Sequence, residues 1–168
     1  VLLGGTLNIY SVFSVGLKGV SFIVLQMIIT MSAAFWIGKK MKFEKFIKEV
    51  QEAQSKGELI SFFCHCAITY SGRAESYLDF GDRLIIIKQD KTLLIHQPDG
   101  GMPINYLKAP ASAEFILDET QDKPIVLLEG RSGADEIDCE ITKIYDLYSR
   151  KLIDGLKQDL AGSEAEMS

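Results

Sequence analysis

Cysteine, proline and histidine are scarce in this 168-residue chain: it has three Cys, four Pro and two His. Three Cys is an odd count with no framework spacing, so disulfide staples are excluded as the basis of the fold, and a reducing, cytoplasmic setting is the expectation. Two His leave no well-supported Ser-His-Asp arrangement. Acid is missing altogether from residues 1–40, which carry only Lys18, Lys39 and Lys40. Nowhere does Asp or Glu stand two positions before Lys. The acid-x-Lys signature of restriction-type metal nucleases is therefore absent, and the chain itself shows no catalytic centre. The net charge of −5 comes from an acidic excess after residue 110, which excludes a bulk nucleic-acid footprint. Any DNA or RNA site must be local.

What is present is 47% hydrophobic residues, enough for one modest globular domain. Val20 to Gly38 is a 19-residue run without charge, with Trp36 near one end and Lys39, Lys40 and Lys42 after it. Two readings fit residues 1–40. One is a signal anchor whose positive cluster stays cytoplasmic. The other, favoured by the break in composition at Met41, is a translation start set too far upstream.

From Met41 to Gly57 the apolar residues Phe43, Phe46, Ile47, Val50 and Ala53 recur at three- and four-residue steps, which predicts a helix stopped at Gly57. The period then becomes that of strands, predicted at 58–70, 73–79, 83–89, 92–97, 113–118, 124–129 and 136–148, with turns at Ser71-Gly72, Gly81-Asp82 and Asp90-Lys91. Such close spacing makes the early strands antiparallel hairpins. The segment from Pro103 to Pro110 is unsuited to a central strand. The fold class predicted is mainly β, a small barrel or sandwich with an N-terminal helix, plus an apolar helix at 20–38 on the anchor reading. Residues 154–162 read as a linker, and Ser163-Glu164-Ala165-Glu166 as a capping box that opens a helix.

Cys64-His65-Cys66 invites a metal reading, but alternation along a strand puts both Cys on one face and His65 on the other; Cys139 and His96 stand alone in sequence. Buried strand cysteines are the expectation. Residues 70–108 interleave Arg73, Arg83, Lys88, Lys91 and Lys108 with Tyr70, Tyr77, Phe80 and Tyr106, beside Asn105. Cations can take phosphates while aromatic faces stack on unpaired bases, although composition alone fits a solvated strand face equally matched in acids.

The pattern decides more than the composition. The run from Tyr70 to Pro110, with Y-S-G-R-A, then G-D-R and an I-K-Q-D turn, then H-Q and P-I-N-Y, closely resembles the N-terminal domain of the NucS (EndoMS) family of mismatch and branched-DNA endonucleases. The resemblance extends more loosely from Met41 onward and does not cover residues 1–40. It implies a half-open, PH-like antiparallel β-barrel at 41–153 that dimerises and binds mismatched, branched or single-stranded DNA. It also implies that residues 154–168 are a linker and the opening of a truncated nuclease domain, where Mg or Mn would be held, and a sliding clamp as a partner through further segments. On it, Arg73 corresponds to a DNA-contacting Arg, Tyr70 and Tyr106 to aromatics that hold a flipped base, and Asn105 to the amide that bonds it. Arg83 and Lys108 are added as local phosphate contacts. Extraction of a base is cheapest at a mispair, which supplies selectivity. Tyr106 stands where the family pattern has Trp, which reduces the stacking area. The rivals are a membrane-anchored PH-like module for a protein or headgroup, and a complete enzyme whose site is unrecognised.

Overall fold

A computed structural model of the chain describes residues 9–120 and 123–153. The linker and the capping box predicted after residue 153 lie outside them. Helix α1 (Ile9–Ser55) is followed by seven strands: β1 (Leu59–Ser71), β2 (Ser76–Ile87), β3 (Leu93–His96), β4 (Asn105–Leu107), β5 (Ser112–Asp118), β6 (Ile125–Ser132) and β7 (Asp135–Arg150). The apolar run and the amphipathic stretch expected as separate segments are continuous in α1. The helix stops where Gly57 takes a positive φ of 65°, with Gly57 N–H donating to Gln54 and Glu58 N–H to Ala53, the paired bonds of a Schellman cap.

All seven strands form one antiparallel sheet in the order β4-β3-β2-β1-β7-β6-β5. Long β1 and β7 lie at its centre, and register shifts near Phe63–Ile68 bend them. That bend curls the sheet into a half-barrel. β4 closes on β6 without a ladder, where Ser132 Oγ donates to the carbonyl of Lys108, just beyond β4, at 2.8 Å.

The turn expected at Gly81-Asp82 does not form: β2 runs straight through it, with Gly81 opposite Cys66 and Leu78 opposite Ile68. Gly81 serves a different purpose. It faces the interior, and a Cβ there would come within 2.4 Å of the Arg83 guanidinium folded across it. β4 is an edge strand, as the flanking prolines required.

One face of α1 closes the barrel. Phe43, Phe46, Val50 and Ala53 are buried, and the Phe46, Phe62 and Phe115 rings meet edge to face at 5.1–5.9 Å, joining helix, β1 and β5. Polar ties flank them: Lys42 Nζ donates to the Ile144 carbonyl at 2.7 Å, and Gln54 Nε2 to the Ala113 carbonyl at 2.9 Å.

The three cysteines are free and buried. Cys64 and Cys66 share the interior face, as alternation predicted. Cys139, isolated in sequence, is not isolated in space: the β1–β7 pairing sets it opposite Ile68 and diagonal to Cys66, and the contact with Cys66 together with burial pushes its thiol well above the usual range. Among the described residues, no three His, Cys, Asp or Glu side chains are grouped as a metal requires.

Candidate nucleic-acid interface

Tyr70, next to last in β1, lies on its interior face, and Arg73 follows in the β1–β2 connection. The β6–β7 hairpin lies alongside, because β1 pairs with β7 as far as Ser71 opposite Glu136. Asp135, the first residue of β7, therefore comes up against both. Tyr70 Oη donates to Asp135 Oδ1 at 2.7 Å, and Arg73 Nη2 stands 3.5 Å from Asp135 Oδ2. Gly72 makes the approach feasible, since a Cβ there would lie 2.4 Å from Asp135 Oδ1. The Y-S-G-R order thus has a local explanation: Tyr and Arg grip one carboxylate over a residue with no side chain.

Electrostatics report the same cluster. The Tyr70 hydroxyl bond, followed by the charges of Arg73 and Lys108, holds the Asp135 carboxyl below its ordinary value. Arg73 is raised above its own by Asp135 first, then by Tyr70 and Tyr106. Arg73 is nevertheless 72% exposed, so one edge of its guanidinium is anchored while the rest faces solvent. A phosphate could take that free edge.

β4 brings the other half. Leu107 is buried, so by strand alternation Asn105 shares its inward face while Tyr106 points outward, 47% exposed. Asn105 Nδ2 is buried and has no hydrogen-bond partner within the protein. A buried amide donor left so costs about 1–3 kcal/mol, which a base edge bonded there would return. Lys108 is exposed just beyond the strand.

The structure thus joins Tyr70 and Arg73 at Asp135, brings Lys108 and Tyr106 near enough to act on that group electrostatically, and sets Asn105 on the face of β4 opposite Tyr106. Arg83 is set apart. It pairs across the ladder with Cys64, six residues before Tyr70 on β1, or about 20 Å along an extended strand. Its Nη1 donates to the neighbouring Asp82 carbonyl at 3.1 Å, and its Nε is buried without a protein partner. Asp135 was missed by sequence reasoning. The signal available was its place directly after the Gly133 turn, which fixes it at the mouth of a hairpin.

The outer face of β1 and β2 carries another polar group. Asp82 accepts from Tyr145 Oη at 2.8 Å and lies 2.9 Å from His65 Nδ1, whose ring stacks on Phe80. This explains where the outward His of the Cys64-His65-Cys66 triplet goes.

Comparison with known proteins bears on the fold and the family. Endonuclease NucS 2 of Halobacterium salinarum is 32% identical over 73% of the chain, and the endonuclease NucS of Pyrococcus abyssi 34% identical over 77%. The chain spans about half the length of these curated relatives, 48% and 50% respectively. Among solved structures, an EndoMS–dsDNA complex superposes with a TM-score of 0.57 at 30% identity, covering 70% of this chain and 48% of the other. A repair endonuclease from Pyrococcus abyssi superposes with a TM-score of 0.55 at 28% identity, covering 71% and 50%. The family described as the endonuclease NucS N-terminal PH-like domain matches residues 56–154, and with barrel, motif and relatives in agreement, this chain belongs to that family.

Proposed function

We propose that the β-domain is the DNA-binding, dimer-forming region of a NucS-type endonuclease acting on mismatched, branched or single-stranded-flap DNA. The observation that carries the reading is the cluster about Asp135: two aromatics and two cations from β1, the β1–β2 connection and the β4 segment, with an unpartnered amide on the inner face of β4. In this reading Arg73 and Lys108 take phosphates and fix the register, which costs no sequence information. An extruded base enters at the open edge of β4, where outward Tyr106 stacks on it and inward Asn105 hydrogen-bonds to its edge, with Tyr70 on the interior side. Asp135 holds Tyr70 and Arg73 in place before DNA arrives. Arg83, remote from the cluster, contributes a weaker phosphate contact.

Hydrolysis is assigned to a nuclease domain carrying Mg or Mn. The described residues group no ligand set that fits such an ion, so no chemical step is derived from them. Dimerisation has support in the outer faces of β2 and β3, where Leu84, Ile86 and Leu94 are only partly buried. A sliding clamp is the proposed partner of the complete enzyme, and the cytoplasm its compartment.

The test is a binding comparison between mismatched and matched duplexes, using the full chain in detergent. Preference for the mismatch that falls in Asn105→Ala, with Arg73→Ala weakening both duplexes alike, supports the reading. Equal binding of both duplexes by the unaltered chain overturns it. Sedimentation in the same buffer tests the dimer: a strict monomer at all concentrations, with and without DNA, contradicts it.

A further inference from the structure

From Val20 to Ile37, α1 buries no large apolar side chain in the domain. Every large apolar side chain from Val20 to Ile37 is exposed, from 38% at Trp36 to 70% at Phe35, and they point in all directions round the helix. A soluble surface helix is apolar on one stripe only; one that is apolar all round needs an apolar medium. The length also fits. Nineteen residues at helical rise span about 28 Å, close to the roughly 30 Å hydrocarbon core of a bilayer. The span holds four polar side chains, Ser21, Gln26, Thr30 and Ser32, none of them charged; Thr30, at its centre, returns its hydroxyl to the Gln26 carbonyl at 2.8 Å.

The charges beside this run are arranged for a membrane surface. Lys39, Lys40, Lys42 and Lys45 follow within two turns. Lys143 of β7 lines the same cleft as Phe35, Gly38, Lys39 and Lys42. Lys123 adds a further cation near Lys39. Among the described residues the acids here are Glu44 and Glu119 beside Lys40, Glu49 beside Lys45, and Asp146 in the cleft that Lys42 and Lys45 line, four against these six lysines. Cations outnumber them, as an anionic headgroup layer requires. Trp36, one turn inside this collar, stands at the depth where indole rings collect.

We propose that residues 20–38 cross a lipid bilayer and that the β-domain stands on its cytoplasmic surface, seated by this lysine collar. Because α1 continues unbroken into the packed turns from Phe43, the span and the domain are rigidly joined. Their geometry also sets which way the DNA site looks. Glu119 and Lys123, near the collar, lie at the β5–β6 connection, whereas Ser132 and Asp135 lie at the opposite end of β6. Eight residues of strand separate the two ends by about 25 Å. The Tyr70–Arg73–Tyr106 cluster therefore faces away from the membrane, open to DNA on the same side as the domain. The span and its collar stand independently of whether DNA binds there.

The experiment is reconstitution of the full chain into phosphatidylcholine/phosphatidylglycerol vesicles, followed by flotation after an alkaline carbonate wash. The protein is expected to float with the lipid and to resist the wash, while an Ile28→Arg/Met31→Arg variant loses the wash-resistant fraction and Ile28→Leu retains it. Both substituted side chains are exposed, so the β-domain's thermal transition is expected to be the same in all three proteins. Trp36, the single Trp, supplies a second readout: lipids spin-labelled near the headgroup should quench it more than lipids labelled at the chain end. Failure to float, release by carbonate, or a wild-type oligomer in lipid-free buffer that shields Trp36 from aqueous quenchers would each overturn the proposal.

Discussion

The two halves of α1 have the same backbone and opposite destinations. From Phe43 to Ala53 the apolar residues fall on one stripe and are buried against β1 and β5, while lysines and glutamates hold the other side. From Val20 to Ile37 apolar residues occupy every side, and none is buried. Period, rather than hydrophobicity, separates a helix that completes a protein core from one that needs lipid.

The largest expected effect comes from exchanging a residue in each half. Phe46→Ala removes the helix ring that packs on both Phe62 and Phe115 and should cost about 3–5 kcal/mol of domain stability. Phe22→Ala, on the exposed half, should change it by less than about 0.5 kcal/mol. Chemical denaturation of the full chain in detergent measures both, and similar losses from the two would break the comparison.

Independence of the two ends sharpens it. Tyr106→Ala should weaken binding to mismatched or single-stranded DNA by about 1–3 kcal/mol, the usual worth of one stacked base, while Tyr106→Trp holds or improves it. Neither should alter vesicle flotation. Equal affinity of all three proteins in a fluorescence titration removes Tyr106 from the site.

A smaller effect is expected from Arg73→Ala. Losing one phosphate contact should reduce the slope of log affinity against log salt by about one and weaken all sequences alike. A change confined to mismatched duplexes would mean that Arg73 reads the base instead.

The smallest concerns Asp135. Its folded-state value is lowered beneath 3.8, so the stabilisation it brings is complete above that pH and is lost only as pH falls through the folded value. The stability difference between the native chain and Asp135→Asn should therefore be constant from neutrality to about pH 5 and shrink below pH 4. A difference that fades between pH 7 and 6 would point to another group.

Much of this architecture is legible in the residues, for identifiable reasons. The amphipathic stripe from Phe43 to Ala53 and the alternation of Ile60, Phe62, Cys64 and Cys66 are local signals of burial, and both elements form where the pattern puts them. Gly81-Asp82 misled because the dipeptide has hairpin chemistry, whereas the deciding factor is a long β1 that pairs on both sides of it and an Arg83 that needs the space. The neighbours Cys66 and Cys139 are 73 positions apart in sequence, and nothing local in either could announce the pairing. The motif located Tyr70, Arg73, Asn105 and Tyr106 through family likeness. Asp135, which orients two of them, comes from the β6–β7 hairpin and becomes visible only once β7 is laid against β1.

The central claim is that a mispaired base leaves its duplex for the Tyr106–Asn105 side of the far-end cluster. It is tested most directly by placing a fluorescent base analogue at a mispair and titrating the full chain in lipid nanodiscs. The account predicts a change in emission on binding at the mispair, none in the matched duplex, and loss of the signal in Tyr106→Ala and Asn105→Ala. Binding with unchanged emission at the mispair, or the same signal from matched DNA, would contradict it.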